Sequence, residues 1–367
     1  MAMFATDPFA RSVSTEAFDH EEIQFFNPMW APRAQWGGVL RFDGPKMHHE
    51  NMPQGQVNAY LADGLQMRVG VPHRGGKLAF HAFNEGFSAM VSASAFWNPA
   101  KSVFVIPEAS DLYEIDWALD SAGFTAVKGW QAKGAQPGMA GIYPWSLAAY
   151  VEAASLLRPS WWSAPDLCNE MQVAANPDEV RHRINVTATL LEGTLQIIYE
   201  WQNELARTCN STVVQDLVRP PVPIIQGWNR DSYLYSLDLT MEVWRRWEPW
   251  LASPALMGLG SVCRRDTSHP EHGLYAILQA LDGKLPSDTR LHLFGVKGSS
   301  LAQVKKLPWI ASTDSMAWDF SARVNARKSG QSNTMDHRAS EMTRWMQSAS
   351  KRVAVKLGDQ QELCLLA

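Results

Sequence analysis

Residues 291–314 read LHLFGVKGSSLAQVKKLPWIASTD, in which two apolar runs flank a short stretch of helical character. The runs at 291–296 and 308–312 are predicted strands, the second of which leads to Asp314, and residues 300–306 between them are a predicted helix. Strands that are joined through a helix are typically parallel neighbours in one sheet. This segment therefore predicts an α/β fold built on a parallel sheet.

The same alternation extends upstream over about 220 residues. The predicted strands are at 103–107 (VFVIP), 115–119 (IDWAL), 160–164, 221–225 (PVPII) and 255–259, and the predicted helices are at 146–157, 176–206, 231–247 and 272–281. Strand followed by helix, repeated six or seven times, is typical of a (β/α)8 TIM-type barrel and also of a doubly wound open sheet.

Polar or small residues follow five of the apolar strand runs, and these residues favour the barrel over the open sheet. In a barrel, the residues after the strands converge on the face where catalytic loops lie. The five residues are Asp120, Asp166, Gln226, Gly260 and Asp314.

Three regions follow from this pattern: an N-terminal elaboration at 1–95, the barrel at 96–325, and a basic helical C-terminal tail at 326–367. The first region is rich in Gly, Pro, His and Asn, and its apolar runs at 77–83 and 89–97 predict turns and strands. Residues 321–367 carry eight basic and four acidic side chains. Such a tail is either a basic strip that can contact a polyanion or a solvated helical face.

Composition excludes several classes of protein. With 33 basic and 37 acidic residues the net charge is −4, so bulk charge does not attract the chain to nucleic acid. The 46% hydrophobic content is too high for a disordered chain. No apolar run is long enough for a membrane span and no secretory signal is visible, which favours a cytoplasmic protein without a membrane partner. The four cysteines lack a CxxC pair and are expected to be reduced thiols.

Asp120 and Asp314 are candidate catalytic residues. Two carboxylates at one barrel mouth can perform displacement at a sugar carbon, because one attacks the anomeric centre while the other moves a proton. The alternative is that each aspartate caps a helix or forms a turn.

Other residues after the strands have the groups that a purine requires. Gln226-Gly227 and Gly260-Ser261 offer an amide and closely approaching backbone, and Asp166 can accept hydrogen bonds from an exocyclic amine and a ring N–H. Phe124 and Phe294 can stack on a flat base, although a core role suits either residue.

These segments together resemble the tRNA-guanine transglycosylases. Residues 119–124 (LDSAGF) resemble the TDSGGF signature of that family, and residues 314–323 (DSMAWDFSAR) resemble its archaeal nucleophile segment, DSxxYxxxAR. Residues 224–227 (IIQG), 257–261 (MGLGS) and 291–296 resemble the VQG, base-reading and HLFGxG segments of the family, in the same order. The resemblance covers residues 103–323.

Within that superfamily, residues 258–265 (GLGSVCRR) and the sequence DSMAW are most similar to the DNA-directed DpdA branch. That branch exchanges guanine in DNA for a 7-deazaguanine such as 7-cyano-7-deazaguanine. The resemblance implies Asp314 as nucleophile and Asp120 as general base, with DNA and a free 7-deazaguanine as partners and no cofactor. It assigns the base edge to Ser121, Asp166, Gln226, Gly227, Gly260 and Ser261, and stacking to Phe124 and Phe294.

Four basic residues are expected near the mouth of the barrel, where they would hold the phosphates around an extruded nucleotide. Surface salt bridges are the alternative role for them. They are Arg264, Arg265, Lys297 and Arg323.

Two departures from the family pattern are visible. Residues 330–345 hold one histidine and no cysteine where the tRNA branch has a CxCxxC zinc site, so we expect no metal. Ala122 replaces a glycine of the signature and can reshape the base pocket.

The sequence does not fix the oligomeric state. Relatives are often dimers through the zinc region, which is altered here, so a homodimer is possible but not indicated by the sequence.

Three alternative functions remain open. The first is the same exchange on tRNA, and the second is a non-catalytic nucleic-acid-binding paralogue, against which the presence of both aspartates argues. The third is a glycoside hydrolase, in which the base-reading amide and Asp166 would have no role.

Overall fold

A computed structural model of the protein describes residues 58–72, 74–170, 172, 174 and 176–354. Its centre is an eight-stranded sheet in which every paired neighbour is parallel. In chain order the strands are β1 (Gln66–Val71), β2 (Ala89–Ser92), β3 (Trp97–Asn98), β4 (Val103–Phe104), β5 (Trp117–Asp120), β6 (Trp161–Trp162), β7 (Ile224–Ile225), β8 (Leu256–Leu259), β9 (Arg290–Leu293) and β10 (Ile310–Ser315). β3 and β4 form a separate antiparallel pair.

The strand order in the sheet is β6-β5-β2-β1-β10-β9-β8-β7. The two edges lie close to each other, because Ser163 after β6 forms a parallel bridge with Val222 before β7. Val222 N–H donates to Trp162 O and Ala164 N–H donates to Val222 O, each at 2.8 Å. A curled parallel sheet with this strand order is consistent with a TIM-like fold.

Ten helices accompany the strands in the described part of the chain. They are α1 (Lys77–Asn84), α2 (Gly123–Lys133), α3 (Leu147–Leu157), α4 (Pro177–Ala206), α5 (Ser211–Leu217), α6 (Arg230–Arg245), α7 (Leu274–Leu281), α8 (Leu301–Val304), α9 (Ala317–Lys328) and α10 (Met335–Val353). α4 begins as the sequence predicts, because the Asn176 side chain accepts from Glu179 N–H at 2.8 Å and Pro177 occupies the first turn. This long helix packs against both α3 and α6.

Most of the predicted alternation from residue 115 onward is confirmed, but two expectations upstream are wrong. The apolar run at 103–107 contributes β4 to the small antiparallel pair and not to the parallel sheet. The run at 77–83 is the helix α1, whose buried side chains Leu78, Ala79 and Ala82 follow helical spacing. The run at 89–97 contains β2, as the prediction of turns and strands there allows, and β1 precedes it, so the sheet begins inside the segment that the sequence assigns to an N-terminal elaboration. The predictions for residues 1–57 lie outside the described residues.

The C-terminal region is helical, as expected, and packs on the body through α10, which contacts α9, β1 and α1. Its basic residues are not one free strip: Arg338 pairs with the buried Asp319, and Arg344 with Glu341. Lys356 and the acids at 359 and 362 lie outside the described part of the chain. No helix among the described residues is both long and apolar enough to span a membrane.

Candidate active site

A cavity of about 310 Å³ lies where the parallel strands end, which is the face that binds ligands in parallel α/β folds. Its volume falls in the range of small-molecule sites. All eight strands of the sheet, or the segments that follow them, supply its wall. Among the predicted site residues, the lining includes Asp120, Phe124, Asp166, Gln226, Gly260, Ser261, Arg264, Phe294 and Asp314.

Asp314 lines this cavity from within β10. Its Oδ1 accepts a hydrogen bond from Gly295 N–H at 2.8 Å and lies 3.4 Å from Nε2 of His292. The side chain keeps 14% of its surface exposed, so the carboxylate is fixed by the neighbouring strand and still open to a ligand.

Asp120 ends β5 and lines the same cavity. Its Oδ2 accepts from Ala122 N–H at 3.1 Å, and Ala122 has a φ of 69°, in the left-handed region, so the chain turns sharply after the aspartate. Burial, together with the charges of Asp166 and Asp314, raises the pKa of Asp120 to about 7. A carboxyl that exchanges its proton near neutral pH has the property that general acid–base catalysis requires.

Asp166, Gln226 and Ser261 form one hydrogen-bonded network in the cavity wall. The Gln226 amide donates to one Asp166 oxygen, and Ser121 Oγ donates to the other at 2.5 Å. Ser261 Oγ donates to Gln226 Oε1 and accepts from Asn169 N–H at 2.6 Å. Burial raises the pKa of Asp166 to about 6, although these hydrogen bonds oppose the shift. At neutral pH this wall therefore presents a carboxylate next to an amide.

The structure places the two other predicted base-edge residues behind the wall. Ser121 is fully buried and orients Asp166. A Cβ on Gly227 would lie 2.8 Å from the Tyr233 ring, so this glycine permits packing of α6. Neither residue lines the cavity. Gly260 does line it, and a Cβ there would lie 2.2 Å from the Gln226 amide nitrogen.

The two predicted stacking residues both reach the cavity from different elements. Phe124 in the first turn of α2 is 39% exposed. Phe294 directly follows β9 and packs edge-on against His292 and Trp161. Two rings at one cavity are suited to contact a flat ligand.

Three of the four predicted phosphate ligands are exposed, but they differ in their distance from the cavity. Arg264 is exposed and lines the cavity, and Lys297 is exposed after β9. Arg323 is exposed on α9, where it contacts Asp319 and not the cavity.

The expectation that Arg265 holds a phosphate is wrong. The residue is 6% exposed, and its guanidinium donates to the carbonyls of Ser261, Gly227 and His272. It also stacks on the Trp228 ring at 4.4 Å. A guanidinium satisfied by main-chain carbonyls holds the loop and is not available to phosphate.

Sequence reasoning missed several residues of this site. Ser92 and Glu170 line the cavity, and burial raises the pKa of the Glu170 carboxyl. The signal for Ser92 was the end of the apolar run that begins at residue 89. Outside the cavity lining, Arg68 of β1 is buried and paired with Asp116 at 2.9 Å. The sequence does not reveal this ion pair, because an isolated arginine suggests a surface position.

The thiols of this region are unpaired, in agreement with the cysteine spacing. Cys168 and Cys263 line the cavity as free thiols, and burial raises the pKa of Cys263 to about 11. Cys364 lies outside the described residues. No group of three or more His, Cys, Asp or Glu side chains within the described ranges is placed to hold a metal ion.

The fold and the site define an α/β protein whose cavity, at the carboxyl ends of a parallel sheet, joins two aspartates to a hydrogen-bonding wall. The family model of DpdA, DeoxyPurine in DNA protein A, matches residues 105–362, and the chain belongs to this family. A search of the curated proteins returns no match. The family membership confirms the resemblance found in the sequence and implies DNA modification by a transglycosylase-type enzyme.

Proposed function

We propose that the protein exchanges guanine in DNA for a 7-deazaguanine through a covalent glycosyl-aspartate on Asp314. The observation that carries the proposal is the single cavity that joins Asp314, Asp120 and the wall formed by Asp166, Gln226 and Ser261. A hydrolase acting on sugars alone would have no use for a carboxylate and an amide that are hydrogen-bonded side by side.

The first half of the exchange releases guanine. Asp314 attacks the anomeric carbon of the deoxyribose, the bond from that carbon to N9 breaks, and the departing base takes a proton from Asp120. Because the pKa of Asp120 is about 7, a large fraction of this carboxyl carries a proton at neutral pH. Extrusion of the target base from the duplex costs a few kcal/mol, which contacts with the flipped base must offset.

The second half reverses these steps with the incoming base. The 7-deazaguanine gives its N9 proton to Asp120, N9 bonds to the anomeric carbon, and Asp314 leaves as a carboxylate. Two displacements at one carbon retain its configuration. No redox step occurs and atoms and charge balance, so the residues named here suffice for the chemistry.

Recognition of guanine is assigned to the wall of the cavity. The Asp166 carboxylate accepts from N1–H and the 2-amino group, and the Gln226 amide donates to O6. Gly260 lets the chain approach Gln226 closely, and Phe124 and Phe294 contact the faces of the base. Arg264 and Lys297 contact phosphates. We also propose that the sheet is a closed barrel, which the bridge between Ser163 and Val222 supports.

The test is a trapping experiment with the full chain. Protein is mixed with guanine-containing DNA, denatured, and analysed on a gel and by peptide mass for a covalent adduct on Asp314. We expect an adduct with the wild type and with Asp282→Ala, a control at an exposed residue that does not line the cavity. With Asp314→Ala we expect a loss of about a thousandfold or more in adduct formation.

The other outcomes select the alternatives. An adduct with tRNA and none with DNA would favour exchange on tRNA. If neither polymer gives an adduct while the protein still binds DNA, the non-catalytic reading replaces the proposal.

A further inference from the structure

A buried histidine lies next to the proposed nucleophile, and the exchange described above does not use it. His292 of β9 has no exposed surface and is in register with Ser312 of β10. Its ring packs edge-on against Phe294, at 4.6 Å between centroids, and against Trp161, at 4.9 Å. These contacts fix the plane of the imidazole.

The two ring nitrogens have different surroundings. Nδ1 lies 2.8 Å from Ser312 Oγ. Nε2 is buried, lies 3.4 Å from Asp314 Oδ1, and forms no hydrogen bond with any of the described residues at this separation. An ionised carboxylate only accepts, so the arrangement that suits both neighbours of the ring has Nε2–H directed at Asp314 and the Ser312 hydroxyl donating to Nδ1. A separation of 3.4 Å is long for a hydrogen bond, and catalytic hydrogen bonds commonly shorten in the complex with substrate.

The surroundings favour the neutral form of the ring. Burial lowers the pKa of His292, and the charge of Arg68 on β1 lowers it further, against the opposing effect of Asp314 on β10. The remaining neighbours named here, Trp161 and Phe294, carry no charge. A neutral ring with its proton on Nε2 orients a carboxylate without cancelling the negative charge that makes it a nucleophile.

We propose that His292 is a positioning residue, which with Gly295 N–H holds Oδ1 of Asp314 so that Oδ2 is the oxygen that attacks the sugar. Ser312 sets the tautomer of the imidazole. Two donors on one oxygen stop the carboxylate from rotating, and the reacting oxygen is thereby oriented before substrate arrives. This inference rests on the proposed function, because it assigns roles within that reaction.

The first test measures the rate of adduct formation in a single turnover, with DNA affinity measured separately. His292→Phe keeps a ring and removes both nitrogens, whereas His292→Gln keeps an N–H donor. We expect His292→Phe to slow adduct formation about 10- to 100-fold with DNA affinity nearly unchanged, and His292→Gln to recover most of the rate. His81→Phe, the same substitution at a histidine bonded to Thr343 on α10, should match the wild type.

The second test needs no reaction. Nitrogen-15 spectra of the wild-type protein should show His292 as the neutral Nε2–H tautomer at pH 7, and Ser312→Ala should change the tautomer ratio and slow adduct formation several-fold. This variant and the spectra also decide the matter if His292→Phe does not fold.

The outcomes separate the two proposals. Absence of an adduct with wild-type protein rejects the proposed exchange, while the tautomer still shows whether His292 donates to Asp314. An adduct that forms at the wild-type rate in His292→Phe overturns the positioning role alone, and so does an Nδ1–H tautomer or a charged ring at pH 7.

Discussion

Asp120 is held in surroundings that oppose its own charge. Burial is the largest cause of its raised pKa, and the neighbouring charges of Asp166 and Asp314 add to it. Only the hydrogen bonds from Ala122 and Ser92 favour the ionised form. A charge kept in such surroundings lowers the stability of the folded protein, which is a cost commonly found at catalytic sites.

This cost predicts the effect of Asp120→Asn on stability. The pKa of Asp120 is about 7 in the folded protein and close to 3.8 in the unfolded chain, so the wild type loses stability as pH rises between these values. The neutral amide removes that loss. We expect Asp120→Asn to be more stable than wild type by about 1–3 kcal/mol at pH 8, with a difference that shrinks toward pH 4, as measured by urea unfolding.

The exposed Asp282→Asn is the matched control and should show a small difference that changes little across this range. A gain for Asp120→Asn that is equally large at pH 4 and pH 8 would contradict the argument. The variant should also fail to exchange guanine, because an amide does not move the proton.

At the scale of single residues, the sequence predicts the aspartates of the site, which accept hydrogen bonds, better than the buried side chains that donate hydrogen bonds. Asp120, Asp166 and Asp314 follow apolar runs, and the ends of parallel strands converge in any fold of this class, so their proximity was predictable. The roles of Ser121 and Arg265 were not, because a buried hydroxyl or guanidinium is recognised by its partners. Those partners, Asp166 and the carbonyls of Ser261 and Gly227, come from other elements.

At the scale of elements, the loop after β8 is the most specialised segment of the site. Ser261 and Arg264 both adopt positive φ, at 57° and 58°, which costs free energy for residues with a side chain. Arg265 compensates by donating from the interior to the Ser261 carbonyl of this loop and to the Gly227 carbonyl of the loop after β7. The two adjacent arginines therefore point in opposite directions. Arg265 holds the loop from the interior, and Arg264 lines the cavity.

This arrangement predicts opposite effects for two adjacent substitutions. Arg265→Gln leaves buried carbonyls without donors and should lower the free energy of unfolding by about 2–4 kcal/mol. Arg264→Gln should leave that free energy unchanged and instead reduce the salt dependence of DNA binding by about one phosphate contact. The measurements are denaturant unfolding and DNA titrations at several salt concentrations, with each variant as the control for the other. If both substitutions changed the salt dependence of DNA binding equally, this assignment of a structural role to Arg265 and a phosphate contact to Arg264 would be contradicted.

Two elements show why the start of the sheet escaped prediction. β1 reads QMRVGV, in which Gln66, Arg68 and Gly70 alternate with apolar residues, a pattern that suggests a strand with one solvated face. Arg68 is instead buried against Asp116, so the polar face points to the interior. β4 is the reverse case, since its apolar run at 103–107 suggested a buried strand of the main sheet but forms a two-residue antiparallel pair with β3.

For the whole molecule, the position of β1 and β2 links the fold to the site. β1 pairs with β10, which carries Asp314, and β2 pairs with β5, which carries Asp120. The family match begins at residue 105, downstream of both strands. The strand pair that separates the two catalytic candidates in the sheet therefore lies outside the matched segment, although Gly70 and Ser92 help to line the cavity.

Dividing the chain at the predicted boundary between residues 95 and 96 tests whether β1 and β2 are needed to bring Asp120 and Asp314 to one cavity. The chain 96–367 would lack β1 and β2, so β5 and β10 would each lose one of their two neighbouring strands. This would expose unpaired backbone and the apolar surface that covers Val69 and Val71. We expect this fragment alone to show no cooperative unfolding transition and to be degraded rapidly by protease. Co-expression with residues 1–95 should restore a soluble complex, because parallel pairing on both sides of the missing strands then becomes possible again. If the fragment folds alone with a transition close to that of the full chain, the segment before residue 96 is an elaboration, as the sequence predicts, and not part of the structure that brings Asp120 and Asp314 to one cavity.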